Sequence, residues 1–138
     1  MDKALNFLAL ARKAGIAELG EEPVGGAARS GKAYAILVAS DASDHTWRRA
    51  KAYAAGTAQQ CIRIPYTKDE MGFAIGRESL AIAAITDVAM ALALVQSLPS
   101  QEKYAEAVQV LTEKAQKMKQ RKKEAQAHKK NVRVGKKK

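Results

Sequence analysis

The stretch Gly26-Ala27-Ala28-Arg29-Ser30-Gly31-Lys32 matches most of a loop that wraps nucleotide phosphates. In such a loop the residue after the lysine is Ser or Thr, because that hydroxyl holds the magnesium ion. Here it is Ala33. The context is also reversed: a phosphate loop leaves a strand and opens a helix, whereas this segment closes a helix and precedes a strand. Nucleotide hydrolysis is not expected. Asp41, Ser43, Asp44 and His45 carry the groups of a charge relay, but they are too close in sequence to reach its geometry, and helix capping accounts for Asp41, Ser43 and Asp44. Cys61, beside a strand, reads as a small core hydrophobe. One cysteine and two distant histidines assemble no zinc site of soft ligands. With no nucleophile–base pair, the expectation is a non-enzyme without cofactor or metal.

Charge gives a stronger signal. The net charge is +10, and residues 114–138 hold twelve Lys/Arg against one acid, Glu124. That stretch carries +11, so residues 1–113 carry −1. Lys119, Arg121, Lys122, Lys123, Lys129 and Lys130 begin a dense cationic segment. Neutralising phosphates releases condensed counterions, the term that drives nonspecific nucleic-acid affinity. A solvated tail is the plainer reading of the same lysines. A membrane-surface role needs large apolar residues, which the most basic part lacks.

Composition narrows the class further. Apolar residues make up 47% of the 138, enough for one core, but aromatics only 5%. The core must therefore be built from Ala, Val, Leu and Ile. A single cysteine permits no intrachain disulfide and suits a reducing, cytoplasmic setting. Met1 to Arg12 reads as a helix rather than a signal peptide. The longest apolar run, Val88 to Val95, is too short to span a bilayer. A monomer without a membrane partner is expected.

The elements that must position these residues can be read in order. Ala4 to Lys13 is predicted as a helix, with Gly15 beyond it. Ile16 to Leu19 is a short strand, and Gly20-Glu21-Glu22-Pro23 opens a helix that ends near Ser30-Gly31. Ala35 to Ala39 reads as a buried strand, followed by a helix from the capping residues Ser40 to Asp44 toward Tyr53. Ile62 to Pro65 is a strand, Lys68 to Ile75 a helix, Leu80 to Ile85 a strand, and Asp87 caps a helix through Val95. This alternation predicts a sheet between helix layers. Pro99-Ser100 ends the domain, giving residues 1–98 as the folded unit and 99–138 as a basic helical and partly disordered tail. Tyr104, Val108, Leu111, Ala115 and Met118 form one narrow apolar stripe. Asn131 to Lys138 has no core-forming pattern.

Several segments together resemble the kink-turn RNA-binding ribosomal-protein superfamily, the L-seven-Ae-like group, and in particular its small bacterial members. They are Leu8 to Gly15, Gly20-Glu21-Glu22, Arg29 to Ala33, Ala35 to Val38, Ser40 to Ser43, Ile64-Pro65-Tyr66, Glu70-Met71-Gly72, Ala74-Ile75-Gly76 and Ala83 to Asp87. The resemblance implies a three-layer α-β-α sandwich around a mixed four-stranded sheet. It also implies a non-catalytic RNA-binding role, on ribosomal or other structured RNA, with the ribosome as a partner. By resemblance Gly20, Glu21, Glu22 and Gly25 lie on the RNA-facing turn, with Arg29 and Lys32 following. Arg77, Glu78 and Ser79 lie on a second RNA-contacting loop. The family prefers Gly-x-Asn-Glu-x-x-Lys at the first turn; here Glu22, Pro23 and Gly26 stand at the Asn, Glu and Lys positions. A carboxylate thus replaces an amide donor, and Glu21 and Glu22 are expected either to repel phosphate or simply to favour the helix start. The alternative function is a protein-binding adaptor that offers the Tyr104–Met118 stripe to a partner.

Overall fold

The computed structural model describes residues 2–136, with side chains described through residue 127. The elements are α1 (Lys3–Lys13), β1 (Ala17–Leu19), α2 (Glu21–Arg29), β2 (Ala35–Val38), α3 (Asp44–Ala54), β3 (Gln60–Arg63), α4 (Lys68–Ala74), β4 (Ile82–Ile85) and α5 (Val88–Gln96). A 3-10 turn (Gln101–Tyr104) then leads into α6 (Ala105–Lys136). The helix starts follow the local chemistry. Ser43 accepts from the Thr46 N–H, Asp87 from that of Met90, and Thr67 and Glu70 close a reciprocal capping box.

The strands lie in the order β1-β4-β2-β3. β2 pairs with β3 in parallel and with β4 antiparallel, and β4 pairs antiparallel with β1, so the sheet is mixed. Side chains alternate across it. Ala35, Leu37, Ala83 and Ile85 face the layer of α1, α4, α5 and α6. Ile36, Val38, Ile82 and Ala84 face α2 and α3. The three-layer α-β-α sandwich with a helical extension is thus the observed fold. The two central strands are buried along their whole length, which is why they read as continuous apolar runs. β3 is an edge strand with little burial, and it runs from Gln60 to Arg63 rather than from Ile62 to Pro65. β4 begins at Ile82, because Leu80 belongs to the preceding loop, its N–H bonded to the Lys68 carbonyl. Small residues such as Ala11, Ala83, Ala84 and Ala91 are buried at the contacts, so helices approach the sheet closely without aromatic filling.

The apolar stripe of the C-terminal helix is filled by the protein's own core. Tyr104, Ala107 and Leu111 are buried in the layer shared with α1 and α5, and Val108, Ala115 and Met118 pack against it. The Tyr104 hydroxyl donates to the Arg63 carbonyl at the end of β3 (3.4 Å), while Lys114 Nζ lies 5.8 Å from the Tyr34 ring, just before β2 begins. α6 therefore runs along the sheet from one end to the other. It continues beyond the stripe to Lys136. Asn131 to Lys138 was expected to be disordered; the helix instead continues through Lys136, and residues 137 and 138 lie outside the described residues.

Candidate nucleic-acid interface

The register brings the end of β1, the start of β4 and the ends of β2 and β3 to one end of the sheet. α2, α3 and α4 all start there. Gly20 sits at φ 98°, a conformation that only glycine adopts without strain, and its N–H donates to the Ile82 carbonyl (3.0 Å). That bond ties the first predicted turn to the strand that follows the second predicted loop. Gly20 to Glu22 and the loop Arg77 to Ser79, which precedes Ile82 by three residues, therefore lie at the same end of the sheet. Gly20 offers no side chain to cap α2, so the first N–H groups of that helix face outward from the sheet end. Pro23, in the first turn, removes only a donor that the helix would leave unused.

The two glutamates differ. Glu21 accepts from the Thr46 hydroxyl (2.9 Å) and from Arg49 Nη1 (3.2 Å), both on α3. Its carboxylate is committed to bracing α2 against α3, and the nearby guanidinium offsets its charge. Repulsion of phosphate by both residues together is therefore revised to Glu22, which is exposed. Sequence reasoning missed Arg49, because a pairing partner 28 positions away leaves no local signal. Glu21, Glu22, Arg29, Arg49 and Tyr53 line a groove of about 300 Å³ between the two helices. Gly25 is buried at its base: a Cβ there would lie 3.0 Å from the Tyr53 hydroxyl and 3.2 Å from Arg29 Nη1. Its place on the turn is explained by close packing. Gly26 faces open space, so a side chain fits there.

Arg77, Glu78 and Ser79 are exposed on a loop that leans on α4. A Cβ on Gly72 would meet the Ser79 backbone N at 2.6 Å and Cα at 2.7 Å. Neither atom can swing away as a side-chain tip would. The Arg77 N–H also donates to the Gly72 carbonyl (2.8 Å). Gly72→Ala should therefore push the loop off α4 and destabilise the fold by about 1–3 kcal/mol, as overpacking does. Urea denaturation of parent and variant measures this, and an unchanged midpoint would contradict the close approach.

Lys32 lies elsewhere. It follows the C-terminal end of α2 and precedes β2, at the opposite end of the sheet from Gly20. Lys119, Arg121, Lys122 and Lys123 are exposed on α6 beyond its last packed residue, Met118. The side chains of Lys129 and Lys130 lie outside the described residues.

Three of the polar candidates, Asp41, Ser43 and Cys61, have structural surroundings. Asp41 Oδ1 accepts from the Lys68 N–H at the start of α4 (2.8 Å), and Ser43 caps α3. Burial pushes the Cys61 thiol up to about 11 against the opposing pull of Lys51 and Arg63, so it stays protonated and unreactive near neutrality. Beside it Trp47 lies between the cations Arg63 and Lys51, at 4.7 and 5.3 Å from the ring centre, which braces α3 against the edge strand. Among the described residues no group of three His, Cys, Asp or Glu could hold a metal ion, and no helix is long and apolar enough to cross a membrane.

No protein-family model matches the sequence, and no curated protein matches it. Among solved structures the chain is similar to a protein of unknown function from Bacillus halodurans C, with TM-score 0.64 and 26% identity, over 70% of this chain and 96% of that one. It is also similar to the Giardia lamblia 15.5kD RNA binding protein, with TM-score 0.54 and 13% identity, over 79% of this chain and 82% of that one. The second likeness is distant and is one of fold.

Proposed function

We propose that this chain is a non-catalytic RNA-binding protein of the translation apparatus, acting as a cytoplasmic monomer on ribosomal or other structured RNA. The carrying observation is the segregation of charge: a near-neutral core is followed by a C-terminal stretch that holds almost all of the net +10, and its described side chains from Lys119 to Ala127 are exposed on α6. The core's fold is shared with a protein named for RNA binding, which supports the reading. In it, the uncapped start of α2 and the loop Arg77 to Ser79 receive the RNA at one end of the sheet, since free N–H groups and the helix dipole favour phosphate oxygens. The cations of residues 99–138 supply most of the affinity. The adaptor reading loses its surface, because Tyr104 and Leu111 are buried in the chain's own core.

The turn is tested by restoring the pattern of the family it resembles. Glu22→Asn removes the exposed repelling charge and adds an amide donor. Pro23→Glu returns a backbone N–H, and Gly26→Lys adds a cation at a position with room for it. The lysine should also raise helix propensity by about 0.7–1 kcal/mol over glycine. In a chain cut after Met118, the triple variant should bind a kink-turn RNA about tenfold more tightly than its parent, equivalent to about 1.4 kcal/mol. A folded variant with no preference for the bent RNA over a duplex lacking the bend-forming mismatches would remove this turn from the site.

A further inference from the structure

α1 to α4 all begin at the same end of the sheet: Asp2, at the start of α1, accepts from the hydroxyl of Tyr66, just ahead of α4. Their first turns carry Glu21, Glu22, Asp44, Asp69 and Glu70, and their last turns carry Arg12, Lys13, Arg29 and Lys51. Each placement complements its own helix dipole. Because the helices are aligned, the placements give an acidic end, where α2 starts, and a basic end opposite, to which Arg12 and Lys13 contribute while the Arg29 guanidinium reaches back toward Gly25. The dipole does not explain what α6 adds to the basic end. Lys114, Lys117 and Arg121 lie in the interior of that helix, at positions i, i+3 and i+7 of one face, and span about 10 Å along it. They surround Tyr34 together with Met118, and Lys32 stands two residues before Tyr34, its carbonyl accepting from the Tyr34 N–H (3.1 Å).

We propose that this basic end is a second RNA-docking surface, in which Lys32, Lys114, Lys117 and Arg121 hold the phosphate backbone of an RNA duplex and pass it on to the exposed part of α6. The proposal rests on the RNA-binding reading above and gives it a different location from the α2 turn. Tyr34 is half-buried beneath Lys114, so its ring is not a free stacking platform of the kind single strands use. The charged groups lining it are all cations, which favours phosphate contact without base preference. It also separates the two sites by the length of the sheet, so one molecule can engage two RNA segments.

The test uses the full chain and a fluorescent RNA duplex without mismatches, titrated at several sodium chloride concentrations. Lys32→Gln, Lys117→Gln and Arg121→Gln are combined; all three side chains are exposed, and Lys114 is kept for its contact with Tyr34. Each lost phosphate contact should make the slope of log affinity against log salt shallower by about 0.9, so the triple variant should lose about 2–3 from it. A charge-matched control, Lys3→Gln with Lys68→Gln and Lys103→Gln, removes cations from the opposite end and should change the slope clearly less than the far-end variant does. An equal loss in both variants would reduce the effect to net charge and overturn the proposal. So would a far-end variant that binds duplex like the parent, including one that loses only its binding to phosphatidylcholine–phosphatidylglycerol vesicles. A parent that binds no RNA would sink the RNA-binding function as well, whereas a parent that binds through unaltered slopes would sink this surface alone.

Discussion

Cutting the chain after Met118 should abolish most of its affinity for RNA at low salt. The removed segment holds ten Lys/Arg and one acid, Glu124. If it neutralises roughly 5–8 phosphates, the full chain should show a slope of log affinity against log salt of about −4 to −7. Between 50 and 200 mM salt that is a loss of about 10²–10⁴-fold, which the truncated chain should largely lack. The position of the cut matters. Charge alone would place it at residue 114, but Ala115 and Met118 pack against the core, and removing them would confuse lost binding with lost stability. Fluorescence titration across a salt series checks the prediction. An unchanged slope in the truncated chain would show that the folded domain, not the tail, carries the electrostatic affinity.

Leu111→Ala should be the most damaging single change in α6. Leu111 is fully buried, so the substitution loses its transfer free energy and leaves a cavity, at a cost of about 2–5 kcal/mol. Against a typical domain stability of about 5–15 kcal/mol this is a large share. Gln116→Ala, on the exposed face of the same helix, should shift the urea midpoint very little. A Leu111→Ala variant as stable as the parent would mean that α6 is not part of the folded core in solution. The adaptor reading, with its free helix face, would then return.

The layers of this fold were legible because their causes are local. Ala35 to Val38 and Ile82 to Ile85 are apolar at every position, which only a strand covered on both faces requires. Ser43 and Asp87 mark helix starts because a short polar side chain satisfies an N–H two or three residues on. β3 was read two residues late because an edge strand buries little, and Gln60 looks like a loop residue. The site was legible only in outline. Gly20 and Arg77 were named together by resemblance, but the pairing of β1 with β4 is what brings their two segments to one end of the sheet. The commitment of Glu21 to Arg49 and the seat of Ser79 on Gly72 depend on contacts between distant positions, for which no periodicity exists. The stripe from Tyr104 to Met118 was visible as a stripe, yet its partner was not, since an amphipathic helix looks the same whether its own domain or another protein covers it. Lys32 was grouped with Gly20 by resemblance; α2 runs between them and leaves them at opposite ends of the sheet.

The central claim is that this chain contacts structured RNA in cells through the α2 turn, the loop Arg77 to Ser79 and the basic part of α6. Ultraviolet crosslinking of the full chain in cells, with sequencing of the bound RNA and mapping of the crosslinked peptides, addresses it most directly. The account predicts ribosomal or other structured RNA, attached to peptides that contain residues 20–29, 76–80 and 119–130. Recovery of no more RNA than from uncrosslinked cells would contradict it.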